Sequence, residues 1–239
     1  MRRVWVGIAL TAGAGCLAPF SWPEDRHGHV AEAAKVDPIP VTEPVVEKDH
    51  LALAAERLDR GDDAAALPHL KAHVKAHPDA VMIRAYLAEL HLKLGNAPAA
   101  RTEFERVVAD AQGAPPGPAR RHLVHCHTRL MEIAQADDDA FAEHLHRGIG
   151  LLLLVQQWES DPERRDDVAS EQTLSKAAAA LRKAKDDRPA DARVNLYLAD
   201  VYDRLGSASA AKAARRAAKA ALPDGSLTAW ERERLRESE

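Results

Sequence analysis

The stretch LAELHLKLGNAPAARTEF, residues 87–104, decides the fold of this chain. It begins with an apolar and a small residue, turns at Gly95, and continues into a second apolar segment. The same residue types occur 34 residues earlier, at Leu53, Ala54, Gly61, Ala66 and Leu70. They return far downstream, at Leu198, Ala199, Tyr202, Gly206, Ala211 and Pro223. A period of 34 residues, built from two helical stretches around a small-residue turn, predicts an all-α solenoid of stacked helix pairs.

The first helix of each unit carries the periodicity of an amphipathic helix. In the second unit the apolar residues follow the offsets i, i+4, i+7 and i+11, at Ile83, Leu87, Leu90 and Leu94. The last unit repeats these offsets at Val194, Leu198, Val201 and Leu205. Each set lies on one helix face, which can pack against a neighbour. Gly61, Gly95 and Gly206 follow these helices, so we expect the left-handed backbone that glycine adopts at least cost.

This pattern resembles that of the tetratricopeptide repeat family. The family pattern has an apolar and a small residue, an aromatic, a glycine turn, an alanine, a second aromatic and a closing proline. Departures occur at the early tryptophan position, which holds His50, Arg84 and Asn195, and at a tyrosine position, which holds His91. The resemblance covers about 47–223. It implies a right-handed superhelix of antiparallel helix pairs that binds protein partners on its concave surface.

The repeat units occupy about 47–80, 81–111, 119–159, 168–189 and 190–223. A proline-rich insertion, Gln112 to Pro118, is predicted to precede the third unit as a loop. Thr173–Lys185 fits a second helix whose own first helix is missing or degenerate. Residues 224–239 are predicted to form a C-terminal capping helix, which opens with a capping box from Thr228 to Glu231.

Residues 1–20 predict an export signal. Arg2 and Arg3 precede the uncharged stretch Val4–Ala14, which is too short to span a bilayer convincingly. Three outcomes remain open: cleavage at Ala14, a lipobox of Ala14, Gly15 and Cys16 with lipid attached to Cys16, or an uncleaved anchor. A Pro-rich linker, 21–46, follows as an extended or disordered tether. We therefore expect an exported protein of the bacterial cell envelope. It is expected to be periplasmic or tethered to the membrane by lipid at Cys16, and otherwise to be secreted.

Composition and the absence of certain motifs argue against several classes of function. The net charge of −4 argues against a nucleic-acid binder, which normally carries a basic footprint. The sequence contains no nucleophile elbow and no phosphate-binding loop, so we expect no enzyme activity and no cofactor. The membrane is expected to be contacted only through the N-terminal lipid.

By position, the resemblance assigns partner-binding residues to the first helices. These are Met82, Tyr86, Glu89, Lys93, His127, Met131, Arg193, Tyr197, Asp200 and Arg204. Aromatic and arginine side chains are the usual anchors of a protein interface. The alternative for the two tyrosines is that they pack between helices.

A second hypothesis concerns metal binding. Its ligands would be His122, Cys126, His144 and His146. His122 and Cys126 are four residues apart on one helix face, a spacing that can hold zinc or copper. A hairpin turning near Asp138 predicts that Arg129–Met131 lies opposite His144–His146, which offsets the two groups by a turn or more. The alternative is a set of surface histidines around one buried thiol.

A basic stripe marks the second helix of the last unit. It consists of Lys212, Arg215, Arg216 and Lys219. Spacings of three and four place these residues on one solvated face. Contact with an acidic partner or with anionic lipid is the alternative role of this face.

Overall fold

The structure is a computed structural model that describes residues 49–113, 121–161, 163, 166–222 and 227–237. These residues belong to one unit, Glu47–Glu239. Within them the chain forms ten helices and no strand. The helices are α1 His50–Asp59, α2 Asp63–Ala76, α3 Val81–Lys93, α4 Ala97–Ala111, α5 Leu123–Ala136, α6 Ala140–Glu159, α7 Asp167–Asp187, α8 Ala192–Arg204, α9 Ala208–Ala220 and α10 Ala229–Glu237. The predicted signal 1–20, the linker 21–46 and Cys16 lie outside the described residues.

Neighbouring helices pack in pairs, and each pair packs against the next. The pairs are α1 with α2, α3 with α4, α5 with α6, and α8 with α9, and further contacts join α2 to α3, α4 to α5, and α7 to α8. This arrangement confirms the all-α solenoid of helix pairs. No described helix is long and apolar enough to cross a membrane.

Tight turns join the helices of each pair. Gly61, Gly95 and Gly206 have φ angles of 74°, 75° and 71°, as the sequence predicts. In the third pair Asp138 takes the same place with φ 56°, a conformation that costs an L-residue free energy. An Asp or Asn side chain then caps the following helix in three of the four turns, where Asp62, Asn96 and Asp139 each accept a hydrogen bond from the backbone N–H three residues on.

Small residues let the helices approach closely. Ala66, Ala100, Ala177 and Ala211 hold the alanine position of the repeat and are fully buried. Ala177 lies on α7, 34 residues before Ala211, so α7 is a second helix. No helix of the described residues lies between α6 and α7, which pack directly on each other. The predicted second helix, Thr173–Lys185, lies within the longer helix Asp167–Asp187.

Gly148 on α6 marks the tightest approach between α6 and α7. A Cβ atom at this position would lie 2.5 Å from Leu181 Cγ and 3.2 Å from the carbonyl oxygen of Ala177. Real Cβ atoms essentially never lie as close as 2.5 Å to another atom, so a larger residue here would force Leu181 to move. The apolar segment around residue 150 is part of the core, where Ile149, Leu152 and Val155 are buried against α7 and α8.

Candidate partner-binding face

Each complete repeat carries a polar residue where the family pattern has its early tryptophan. His50, Arg84 and Asn195 lie 11 residues before the turn residues Gly61, Gly95 and Gly206, and His127 lies 11 residues before Asp138. Three of the four contact the side chain 19 residues further along the chain. These contacts are His50 Nδ1 to His69 Nδ1 at 3.2 Å, Arg84 Nη1 to Glu103 Oε2 at 3.0 Å, and His127 Nδ1 to His146 Nδ1 at 3.0 Å. A polar contact thus replaces an aromatic one between the helices of each of these pairs.

Asn195 occupies the same repeat position but has different hydrogen-bond partners. Its partner position holds Ala214, and its amide instead donates to the carbonyl oxygens of Pro189 at 3.2 Å and Asp191 at 2.8 Å. The buried amide therefore ties the start of α8 to the preceding turn. This role is structural and leaves Asn195 unavailable to a ligand.

The pairing of His127 with His146 corrects two expectations. His127 is 1% exposed and lies between the helices of the third pair, so it is not on an open groove. The expected offset between the two histidine groups is also wrong. The repeat joins residues 19 apart, as Arg84 and Glu103 show in the second unit. The expectation assumed a hairpin symmetric about Asp138, which would place Arg129–Met131, and not His127, opposite His144–His146.

Both histidines of this pair are neutral near neutral pH. Burial lowers the pKa of His127 well below its usual range, and the neighbouring His146 lowers it further. Burial, with added repulsion from Arg193 and Arg101, lowers the pKa of His146 to about 4. Nε2 of His127 has no hydrogen-bond partner in the described structure.

The hypothesis of a metal site gains no support. The described residues contain no group of three His, Cys, Asp or Glu side chains that could hold an ion. Cys126 is a free thiol packed among apolar residues of α3, α4 and α5, and burial raises its pKa to about 12. Its partner in the hypothesis, His146, is engaged by His127. Cys126 is thus a small core residue, which is the alternative that the sequence left open.

Helix α10 covers the predicted binding residues of the last repeat. Tyr197 is 3% exposed, and its hydroxyl donates to Glu231 Oε1 at 3.0 Å. Arg193 Nε donates to the other oxygen of Glu231 at 3.1 Å, and Arg234 forms an ion pair with Asp200. Arg193, Tyr197 and Asp200 therefore each contact a side chain of α10, and Asp200 also lines a cleft of about 410 Å³ with Arg204 beside this helix. Arg204 remains largely exposed and pairs with Glu159.

Glu231 is the centre of this buried network. Its side chain is fully buried, and it completes the predicted capping box: Thr228 N donates to Glu231 Oε2 at 2.7 Å, and Glu231 N donates to Thr228 Oγ1 at 3.2 Å. Gln112, at the end of α4, donates to the Tyr197 hydroxyl at 2.9 Å. Burial, together with the Glu231 carboxylate, raises the pKa of Tyr197 well above its usual range. The network therefore joins α4, α8 and α10.

The capping box was readable from sequence, but the second role of Glu231 was not. Gln112 was expected in a loop, whereas it is buried and caps α4. Beside it, Gly113 contacts Trp230: a Cβ at Gly113 would lie 3.1 Å from Trp230 Cδ1. No local pattern marks these residues, because the side-chain partners of Gln112 are 85, 116 and 119 residues away in the chain.

Three of the predicted residues, Tyr86, Glu89 and Lys93, line an open cleft around α3, which we call the α3 face. It is a cleft of about 390 Å³ lined by Asp63, Tyr86, Glu89, Leu90, Leu92, Lys93 and Arg129. Tyr86 is 47% exposed and is one of the large apolar side chains that the described surface leaves uncovered. Met82 and Met131 are partly exposed.

Charged side chains on the α3 face hold one another in place. Glu89 Oε1 accepts from His125 Nε2 at 2.6 Å and from Arg129 Nε at 2.8 Å, and Lys93 pairs with Asp63. Burial alone would raise the pKa of Glu89, but the hydrogen bonds from His125 and Arg129 outweigh it and lower this pKa. Sequence analysis did not assign His125 or Arg129, although their spacing of four residues on one helix was a usable signal.

Comparison with known families agrees with this architecture. The family model described as Tetratricopeptide repeat matches residues 57–116, which include α2, α3 and α4. This match identifies tetratricopeptide repeat sequence within residues 57–116. Repeats of this kind form extended surfaces that bind other proteins. No curated protein matches the sequence significantly.

Solved repeat structures show only distant similarity. The crystal structure of MamA is 15% identical, covering 72% of this chain and 95% of that one, with a TM-score of 0.36. TTC0263, a thermophilic TPR protein of Thermus thermophilus, is 21% identical, with 72% of each chain covered and a TM-score of 0.31. Acl4, an assembly chaperone of RpL4, is 19% identical over 72% of this chain and 73% of that one, with a TM-score of 0.33. Similarity at this level carries no information on partners.

Proposed function

We propose that this chain is a non-enzymatic scaffold that binds a peptide or helix of a protein partner at the α3 face. The observation that carries the proposal is Tyr86, a half-exposed aromatic on a first helix, in a cleft whose charged side chains are already fixed by ion pairs. Tyrosine is enriched among the residues that dominate interface energies, because it buries a large area at low entropic cost.

The charged side chains of the α3 face are better suited to orienting a bound partner than to attracting it strongly. Lys93 is paired with Asp63, and Arg129 with Glu89, so the cleft presents both signs close together. Complementary charges of this kind select a partner's register more than they add affinity. The surface of α8 contributes little to this proposal, since Arg193, Tyr197 and Asp200 are taken up by α10.

The test is site-specific photo-crosslinking of the full chain in its native organism. A photoreactive residue at position 86 is expected to yield a discrete crosslinked protein, and Glu89→Ala in the same chain should reduce its yield several-fold. The matched control places the photoreactive residue at Val168, which is 68% exposed and remote in sequence. The same set of products from both positions, or none from position 86, would contradict the proposal.

We also propose that the chain is exported to the bacterial cell envelope and anchored by lipid at Cys16. The support is the sequence alone: Arg2 and Arg3, then Val4–Ala14, then Ala14-Gly15-Cys16. The intact mass of the mature protein tests this. We expect a chain that begins at an acylated Cys16. The mass added by the lipid should be absent from the Cys16→Ser variant. An unmodified chain beginning after Ala14, or a chain that keeps its uncleaved signal, would refute the lipid anchor, and a protein recovered only from the cytoplasm would refute export.

A further inference from the structure

A second cleft lies between α7 and α9, and it shares no lining residue with the α3 face. Both helices are second helices of their repeats, and both pack against α8, which forms the floor. On the α9 side the lining residues are Ala210, Ala213 and Ala214. Because these side chains end at Cβ, they leave an open cleft of about 660 Å³. We call this the α7–α9 cleft.

The floor of the cleft is apolar and recessed. Leu198 is 2% exposed, and Tyr202 beside it is partly exposed. Both come from α8 and lie below the flanking helices. An occupant must therefore insert apolar side chains between α7 and α9 to reach them.

The α7 wall is positively charged. It carries Arg182, Lys183 and Lys185, against a single carboxylate, Asp186. Within the part of the chain that the structure describes, no ion pair involves any of these three cations. The described residues therefore leave a net excess of positive charge at this wall.

Other charged clefts of the molecule differ in this respect. On the α3 face both cations have carboxylate partners. A third cleft, next to α10, contains Arg204, Arg215 and Arg234, which pair with Glu159, Asp203 and Asp200 respectively. The predicted basic stripe of α9 is thus divided, since Arg215 is neutralised by Asp203. The α7–α9 cleft stands apart because its cations lack such partners among the described residues.

We propose that the α7–α9 cleft binds an acidic amphipathic helix of a protein partner. The apolar stripe of that helix would cover Leu198 and Tyr202, and Asp or Glu side chains on its flank would pair with Arg182, Lys183 and Lys185. Two parallel walls made of helices, with an apolar floor between them, form the geometry of helix-in-groove recognition. Opposite charge across the contact steers association and fixes the direction of the bound helix. This surface is separate from the α3 face, so either proposal can fail alone.

The shape of the cleft favours a helix over an anionic membrane surface. A bilayer contacts the side chains that protrude furthest, whereas the apolar residues here lie at the floor, below the cationic wall. Nucleic acid is also disfavoured, since the chain carries a net charge of −4.

The test uses a pair of synthetic helical peptides and the full chain. The first peptide has leucine at i, i+4, i+7 and i+11, with glutamate on both flanks, and its twin has lysine in place of each glutamate. Fluorescence anisotropy is expected to show micromolar binding of the acidic peptide that weakens with added salt, and at least tenfold weaker binding of the twin. Absence of binding, or equal binding of both peptides, would overturn the proposal.

Two variants locate the binding site. Arg182→Glu combined with Lys183→Glu should weaken the acidic peptide at least tenfold, whereas Lys71→Glu with Lys75→Glu, an equal charge change on exposed sites of α2, should not. Ala213→Trp fills the cleft from an exposed site and should abolish binding, with Ala64→Trp on α2 as its matched control. Vesicles of phosphatidylglycerol serve as the competing probe. Vesicle binding that depends on Arg182 and Lys183 while the peptide fails would overturn the choice of a helix.

Discussion

One buried carboxylate, Glu231, joins α10 to the repeats alongside the Arg234–Asp200 ion pair and the buried Leu235, and removing that carboxylate should loosen the helix. Glu231 accepts hydrogen bonds from Tyr197 and Arg193, and it also closes the capping box with Thr228. Glu231→Ala leaves the Tyr197 hydroxyl buried without its acceptor and Arg193 without its counter-charge. Since Arg193 keeps some solvent contact, we expect a loss near the lower end of the range for a broken buried pair, about 3 kcal/mol.

The exposed side of the same helix supplies the control. Glu233 pairs with Arg236 at 3.3 Å, and both side chains are mostly in solvent. Glu233→Ala makes the same chemical change on the same helix and should cost about 0.5 kcal/mol or less. The comparison therefore separates the buried network from helix propensity and from net charge.

Two measurements read out the effect. Urea unfolding followed by circular dichroism gives the change in free energy of unfolding, and hydrogen exchange of residues 229–237 reports whether α10 opens locally. A double-mutant cycle of Glu231→Ala with Tyr197→Phe should give a coupling energy of about 1–2 kcal/mol. The reasoning is refuted if Glu231→Ala and Glu233→Ala destabilise equally, or if α10 exchanges no faster in the first variant.

Further predictions concern stability at three other sites. Asp138→Gly should stabilise the chain by about 1 kcal/mol in urea unfolding, because it removes the cost of φ 56° for an L-residue, and Asp138→Ala should not. Gly148→Ala should lower the free energy of unfolding by about 1–3 kcal/mol, since the added Cβ would meet Leu181; a stabilised variant would disprove the close approach. Burial of His127 and His146 should make stability fall as pH drops below about 6.5 towards about 4, because the unfolded chain binds protons that the two buried histidines do not; His146 alone accounts for roughly 3 kcal/mol of this loss, and His127 adds to it. A melting temperature that stays flat from about pH 7 to about pH 4.5, compared with a His127→Asn, His146→Asn variant, would exclude this.

Much of the fold could be predicted because its signals are local. The apolar periodicity of each helix, the left-handed glycines and the capping box at Thr228 each depend on residues within a few turns of one another, and the 34-residue period repeats these local signals along the chain. Among the predicted partner-binding residues, Tyr86 on α3 stays exposed, as the positional rule expects. At the last repeat the same positional rule selected Tyr197, which is buried under α10.

The sequence by itself determined that the chain is an array of paired helices, where each pair turns, and which flank of each helix is apolar. It did so because helix periodicity and turn conformations are properties of neighbouring residues. Only the tertiary structure decided which surface remains open. That outcome depends on how the array brings Gln112 against Tyr197 and on where α10 then docks. Contacts between residues so far apart in the chain leave no periodic pattern in the sequence.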